Sequence, residues 1–178
     1  MIDKLFANLP LDCLARCDRA RTGLDWSVFL PADQLVAAVM LLYKAEYFLE
    51  DLTAIDAREG FLLVYHFEHM AKPNRVALRV LVSHQAASAP SIAAVYQGAE
   101  WHERETTDFY GIAFAGNPNP VPLLLAPDMD IHPLRKDEAQ RASLADLMPP
   151  HEVLKSAPGF ALLPPAPQPE PAGEAGAQ

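Results

Sequence analysis

The chain concentrates its charged and aromatic residues in one stretch, Trp101 to Ile112, which reads WHERETTDFYGI. Four charged side chains, three aromatic rings and one glycine fall within these twelve residues. A helix that begins at Ala99 and ends at the glycine of this stretch would bring Arg104 between Glu100 and Asp108, each four residues away on one face. We therefore expect an ion-pair network here, where a folded domain gives way to a proline-rich segment.

The composition limits the classes of function. The 178 residues allow one domain with extensions, and hydrophobic residues make up 51% of them, which is enough for a core. The net charge of −9 disfavours nucleic acid and anionic membranes as partners, because both require clustered Lys and Arg. We interpret the acidity as an aid to solubility, with an acidic functional face as the alternative.

Two cysteines, Cys13 and Cys17, are too few for an iron–sulfur cluster or a disulfide framework. No His or further Cys lies close enough in sequence to complete a zinc site, so we expect reduced thiols. We also expect neither a signal peptide nor a membrane span. The longest uncharged apolar run, Leu35 to Tyr43, is about half as long as a spanning helix. Contact with a membrane would then depend on partner proteins.

Residues 1–110 follow the pattern of a two-layer α+β domain, in which helices pack on a small, largely antiparallel sheet. Turn residues at 56–60 and 72–74 join three apolar segments, which indicates an antiparallel meander. The predicted elements are, in order, a helix over Pro10–Arg21, a strand over Asp25–Leu30, a helix over Pro31–Ala45, and strands over Tyr47–Ile55, Phe61–His69 and Arg75–Val82.

Residues 111–156 are predicted to form an extended, proline-rich C-terminal arm. Alternating prolines at 118–122 remove backbone donors and favour extended geometry. The run Leu123-Leu124-Leu125 follows, and it would either meet a partner or pack back on the domain; the sequence leaves both open. Residues 157–178 consist largely of Ala, Pro, Gly, Glu and Gln, which predicts a disordered tail.

Candidate catalytic and metal-binding groups are few. His66 and His69 lie three residues apart in a predicted strand, so their side chains point to opposite faces and cannot share a metal. The sequence contains no nucleotide-binding glycine motif and no nucleophile elbow. A free-standing enzyme could use His102 as a base beside Glu103 and Glu105, but on one short helix these groups point around the axis. We favour a structural network over catalysis.

Two motifs resemble those of a known family. The first motif, Glu103 to Ile112, closely resembles the E-R-E-x-x-D-x-[FY]-G-I signature of the thirty-kilodalton subunit family of respiratory complex I. In bacteria this is the C subunit of the proton-pumping NADH–quinone oxidoreductase. The second motif, His132 to Asp137 (HPLRKD), looks like the second hallmark of that family, and Leu52–Asp56 and Phe61–His66 fit its N-terminal domain.

The resemblance implies a scaffold subunit with no catalytic, metal or cofactor site of its own. Such subunits lie in the hydrophilic arm on the cytoplasmic side of the inner membrane. Their extended C-terminal region packs along the forty-nine-kilodalton subunit, which contributes to the quinone site and which we call the quinone-site subunit. The complex would carry iron–sulfur clusters, quinone and, if NADH is the donor, a flavin. The residues expected at the partner interface or in its structural support are Glu103, Arg104, Glu105, Asp108, Gly111, Leu123, Leu124, Leu125, His132, Pro133, Leu134, Arg135, Lys136 and Asp137.

The chain departs from the family pattern in the arm. The family usually has His at the position of Asn117, basic residues at Val121 and Pro122, Trp near Met129 and an aromatic residue at Glu138. These differences leave open which complex the subunit joins. One candidate is a proton-pumping NADH:quinone oxidoreductase, and the other is a membrane-bound energy-converting hydrogenase with an equivalent subunit.

Overall fold

The computed structural model describes residues 2–148 and 151–163. The strands are β1 (Cys13–Arg16), β2 (Trp26–Phe29), β3 (Tyr47–Ala57), β4 (Gly60–His69), β5 (Val76–Val82), β6 (Ser88–Pro90), β7 (Ala113–Ala115) and β8 (Glu152–Ser156). The α-helices are α1 (Ile2–Leu5), α2 (Arg19–Thr22), α3 (Leu35–Lys44), α4 (Ala99–Tyr110) and α5 (Leu144–Leu147), and short 3-10 helices occur at Ala32–Gln34 and Glu138–Gln140.

One six-stranded sheet, in the order β3-β4-β5-β2-β1-β8, organises the fold. All its neighbours are antiparallel except the parallel pair β2 and β5. The meander β3-β4-β5 confirms the three predicted strands and the α+β class. Its first turn needs glycine, because Gly60 has φ +149° and a Cβ there would collide with the Val82 carbonyl oxygen. A separate parallel pair joins β6 to β7.

The sheet is buried on both faces. In β4, Leu63 and Tyr65 belong to the larger core cluster, whereas Leu62 and Val64 belong to a second cluster. Because side chains alternate along a strand, the two clusters lie on opposite faces. The larger face is covered by α3, which buries Leu35, Ala38, Val39 and Leu42, and by α4, which crosses β3. The predicted helix over residues 31–45 is therefore confirmed, with a 3-10 first turn.

The predicted helix over Pro10–Arg21 is wrong. Its centre forms β1, and only α2 near its end is helical. Cys13, Leu14 and Ala15 are all buried, because this strand is covered on both faces, and such a strand lacks the alternation that identifies strands in sequence. The helix begins after Asp18, whose carboxylate accepts a hydrogen bond from the Ala20 N–H at 3.0 Å.

The C-terminal part of the predicted arm lies on the sheet. Strand β8 pairs with β1 at the sheet edge, and Leu144 and Met148 are buried in the second core cluster. Residues 157–163, which the sequence assigned to a disordered tail, instead pack against that cluster, with the Phe160 ring 5.1 Å from that of Phe29. These apolar side chains cover a face that would otherwise be exposed. The rest of the predicted tail, residues 164–178, lies outside the described residues.

Both cysteines are buried free thiols, and burial raises the pKa of each to about 11. Over residues 2–148 and 151–163, none of the helices combines the length and apolar character that crossing a bilayer requires.

Candidate functional site

The first motif forms most of helix α4, as predicted, and the helix ends at Gly111. This glycine adopts the left-handed conformation, with φ +68°, and its N–H donates to the Thr107 carbonyl at 2.7 Å. A Cβ at Gly111 would lie 2.5 Å from Arg135 Nη2 and 2.5 Å from His132 Nε2. Glycine is therefore required both by the backbone conformation and by the close approach of the second motif.

The second motif caps the C-terminal end of α4. His132 Nδ1 donates to the carbonyl of residue 108 at 2.8 Å, Leu134 N–H to that of residue 109 at 3.1 Å, and Arg135 Nε to that of residue 110 at 2.7 Å. These carbonyls have no partner inside a helix, so the second motif satisfies them. The Arg135 cation also lies at the negative end of the helix dipole. The two motifs thus form one structural unit.

Asp108 fixes the leucine run. Its Oδ2 accepts backbone N–H bonds from Leu123 at 2.9 Å, Leu124 at 2.7 Å and Leu125 at 3.1 Å. Burial alone would raise the pKa of this carboxyl, but the three donors and the charge of Arg104 together hold it below its ordinary value. Leu123 and Leu125 are half-buried, whereas Leu124 is exposed.

Arg104 binds the segment after β7 rather than the carboxylate of Asp108. Nε donates to the Val121 carbonyl at 2.8 Å, and Nη2 donates to the Pro122 carbonyl at 3.1 Å. The predicted pair with Glu100 is present at 3.5 Å. The predicted pair with Asp108 is absent from the described ion pairs, because the Asp108 carboxylate is turned to the three N–H groups. We call residues 117–137, which these contacts hold along α4, the strap.

Glu103 is a fully buried carboxylate with a structural role. It accepts hydrogen bonds from Ser91 Oγ at 2.7 Å, from the Ile92 N–H at 2.8 Å and from Asn117 Nδ2 at 2.7 Å. Burial raises its pKa, and the three donors oppose that rise. Asn117, seen in the sequence only as a departure from the family pattern, therefore ties the start of the strap to α4.

The three residues of the enzyme hypothesis do not converge. His102 and Glu105 line a cleft of about 270 Å³, whose wall also includes Tyr110 and Leu134. Glu103 is not among the residues that line this cleft, and its carboxylate is enclosed by its three donors. Consecutive helix positions differ by about 100° around the axis, which separates these groups.

Asp56 is a second anchor for the C-terminal region, whereas the sequence indicated only a turn residue at the end of the family-like segment Leu52–Asp56. Its buried carboxylate accepts from the Lys136 N–H at 2.8 Å, contacts His84 Nε2 at 2.8 Å and pairs with Arg141 Nε at 2.9 Å. The feature of the sequence that could have indicated this anchor is an aspartate at the end of an apolar strand. Asp137, the last residue of the second motif, caps the following 3-10 helix.

The remaining candidates of the second motif are exposed, namely the side chains of Pro133, Leu134 and Lys136. His66 and His69 have separate partners, since His66 Nδ1 lies 2.6 Å from Asp51 and the His69 ring packs on Tyr47. In the part of the chain that the structure describes, no three His, Cys, Asp or Glu side chains form a group that could hold a metal ion.

Comparisons with known proteins agree on one family. The family described as respiratory-chain NADH dehydrogenase, 30 kDa subunit, matches residues 28–143. The C subunit of NADH-quinone oxidoreductase from Roseiflexus castenholzii is 44% identical over 144 residues, which are 77% of this chain and 81% of the relative. The C/D subunit of NADH-quinone oxidoreductase from Methylococcus capsulatus is 34% identical over 131 residues, covering 66% of this chain and 22% of that longer protein.

A solved structure shares the fold. It is a chain in the membrane-bound sulfane sulfur reductase, an archaeal respiratory membrane complex, with a TM-score of 0.62 and 22% sequence identity. The similarity covers 82% of this chain and 86% of that one.

Proposed function

The chain belongs to the 30 kDa subunit family of respiratory-chain NADH dehydrogenase, and we propose that it is a non-catalytic scaffold subunit in the hydrophilic arm of a proton-pumping NADH:quinone oxidoreductase. The relatives named above are subunits of NADH-quinone oxidoreductase, which favours this complex over an energy-converting hydrogenase. The family assignment supports the choice of complex, and the geometry supports the scaffold role.

The capping of α4 by the second motif is the observation that carries the scaffold role. Polar groups from both motifs fix the strap: Asp108 holds three backbone N–H groups, and His132 and Arg135 hold helix carbonyls. Groups engaged in this way are not available to a substrate. The buried Glu103 and the cleft-lining His102 point to different places, which argues against a shared acid–base site.

We propose that the strap packs on the quinone-site subunit, the forty-nine-kilodalton partner that the family resemblance implies. In the Methylococcus relative, the part similar to this chain is one segment of a longer protein, which is named the C/D subunit. A covalent link between the two parts supports their being neighbours in the assembled complex, and we take the D part to be the quinone-site subunit. The chain would then lie peripherally at the cytoplasmic face of the inner membrane, and iron–sulfur clusters, flavin and quinone would belong to its partners.

Purification from membranes tests this proposal. An affinity tag on the chain should recover the quinone-site subunit together with NADH:quinone oxidoreductase activity, while the purified chain alone should show neither turnover nor the absorption of flavin or iron–sulfur clusters. Turnover by the isolated chain would refute the scaffold role. A tagged complex that oxidises hydrogen but not NADH would assign the chain to a hydrogenase instead.

A further inference from the structure

The strap carries a row of exposed apolar side chains. Five of them, which we call the outer row, have 47–59% of their surface exposed, namely Val121, Leu124, Met129, Ile131 and Leu134. They fall within fourteen residues of chain, whereas the half-buried Leu123 and Leu125 lie beside them. Large exposed apolar patches mark surfaces that bind a protein, a membrane or a ligand.

From Val121 to Ile131, the outer row is accompanied by negative charge alone. Between Gly111 and Ile131 the sequence contains no Lys, Arg or His, but it contains Asp128 and Asp130. Both aspartates are exposed, and neither forms an ion pair with any residue that the structure describes. Beyond Ile131, His132 and Arg135 are directed at the carbonyls of α4, and the exposed Lys136 lies at the end of the strap. The outward surface of residues 121–131 is therefore apolar and acidic.

We infer that the outer row docks in an apolar groove of the quinone-site subunit, and that Lys or Arg side chains on the rim of this groove face Asp128 and Asp130. The inference rests on the proposed function and adds the chemistry of the partner surface. Opposite charges at the rim would orient the strap and exclude acidic surfaces. An anionic lipid surface would repel this segment, and a second copy of the chain would bring the same aspartates together.

The strap also meets the partner in a fixed conformation. Asp108 and Arg104 hold its backbone at residues 121–125, and the second motif holds residues 132–135. Val121, Leu124 and Leu134 belong to these attached segments, and Met129 and Ile131 lie between them, so little conformational freedom remains to be lost on binding.

Charge reversal in the tagged, full-length chain tests the rim. The variant with Asp128→Lys and Asp130→Lys should retain about tenfold less of the quinone-site subunit than wild type when membranes are solubilised at low salt. The loss should shrink to less than about twofold relative to wild type in about 1 M NaCl, where the Debye length is only ~3 Å. The control variant, Asp33→Lys with Glu46→Lys, changes the net charge equally at exposed positions outside the strap and should bind as wild type does.

The neutral variant, Asp128→Asn with Asp130→Asn, should retain an amount of the quinone-site subunit between those of wild type and the reversed variant. It keeps the test decisive if the reversed variant misfolds. Leu124→Asp tests the groove, because this side chain is exposed and its N–H bond to Asp108 does not depend on residue type. It should lower retention of the partner at both salt concentrations. Met70→Asp, at a position 72% exposed and outside the strap, is its control and should have no effect.

The outcomes separate the two proposals. Wild type that carries no quinone-site subunit would overturn the proposed function and this inference with it. Wild type that carries the partner, with equal retention by the reversed variant at low salt, would overturn this inference alone. So would a loss that persists unchanged in high salt, or a Leu124→Asp variant that binds as well as Met70→Asp.

Discussion

Replacing Asp108 by Asn should release the leucine run from α4 while leaving the domain folded. In the native chain, Asp108 Oδ2 accepts three N–H bonds, at 2.9, 2.7 and 3.1 Å from Leu123, Leu124 and Leu125. An asparagine oxygen can occupy the same place, but it carries no charge. The perturbation therefore removes the charge from three hydrogen bonds and changes little else.

The expected magnitude follows from the number of donors. A hydrogen bond to a charged group contributes about 1.5–3 kcal/mol to stability, and a neutral one about 0.5–1.5 kcal/mol. Each of the three bonds thus loses about 1 kcal/mol, and the released N–H groups regain part of this from water. We expect a net weakening of strap attachment by about 2–3 kcal/mol, which is roughly a 30- to 150-fold increase in the open population.

Amide hydrogen exchange at residues 123–125 measures this population directly. Exchange corrected for intrinsic rates should accelerate roughly 30- to 150-fold in Asp108→Asn, and amides of β4 should keep wild-type protection. Asp128→Asn, an exposed change on the same strap, is the control and should alter nothing. Because the folded-state pKa of Asp108 is lowered, its contribution is complete above the unfolded pKa of about 4 and is lost as the pH falls through the folded pKa. Unchanged exchange of these three amides in Asp108→Asn at neutral pH would refute the anchoring role.

Three further substitutions test the other attachments by urea unfolding. Gly111→Ala should destabilise the chain by about 3 kcal/mol, since left-handed strain of about 1–2 kcal/mol is added to a collision between the new Cβ and the second motif. The control is Gly116→Ala, at a glycine with φ +92° and open space where the Cβ would lie, and it should show the strain alone. Asp56→Asn should cost about 1.5–3 kcal/mol, because the buried carboxylate loses the charge that faces the half-buried Arg141 and the Lys136 N–H; a loss below about 1 kcal/mol would contradict its role as an anchor. Arg104→Lys should lower the stability by about 1–2 kcal/mol, because a Lys ammonium cannot bind two carbonyls and a carboxylate at once as the planar guanidinium does. Stability equal to wild type would show that the guanidinium contacts are dispensable.

The meander and the two long helices could be predicted because each leaves a local pattern. Turn residues separate β3, β4 and β5, and apolar spacing identifies α3. Strand β1 could not be predicted, because Cys13, Leu14 and Ala15 are buried on both faces and lack the alternation that distinguishes a strand from a helix. The residues of strand β8 are all exposed, and the strand is defined by backbone pairing with β1, which side-chain patterns do not record.

The contacts of the candidate site could also be predicted only in part from the sequence. Helical spacing correctly placed Arg104 near Glu100, but it also predicted an ion pair with Asp108 that does not form. The prolines of the strap explain the difference. They prevent regular pairing of residues 118–122, so the carbonyls of Val121 and Pro122 remain available to a guanidinium. The N–H groups of the leucine run are similarly free for Asp108. The sequence pattern predicts side-chain pairs, whereas in the structure Asp108 accepts from backbone N–H groups and Arg104 donates to two backbone carbonyls as well as to Glu100.

This preference for backbone partners determines what the strap can do. Ordering a flexible segment costs about 1–2 kcal/mol per residue in backbone entropy, so a free arm of about twenty residues would bind a partner weakly. Here the ordering accompanies folding of the subunit, because Arg104, Asp108 and the second motif hold the strap by its main chain. Side chains of the outer row are left free for a partner, and their identity can differ without loosening the attachment. A variant that loosens the strap, such as Asp108→Asn, should therefore weaken retention of the quinone-site subunit although the substituted residue itself is buried against the strap.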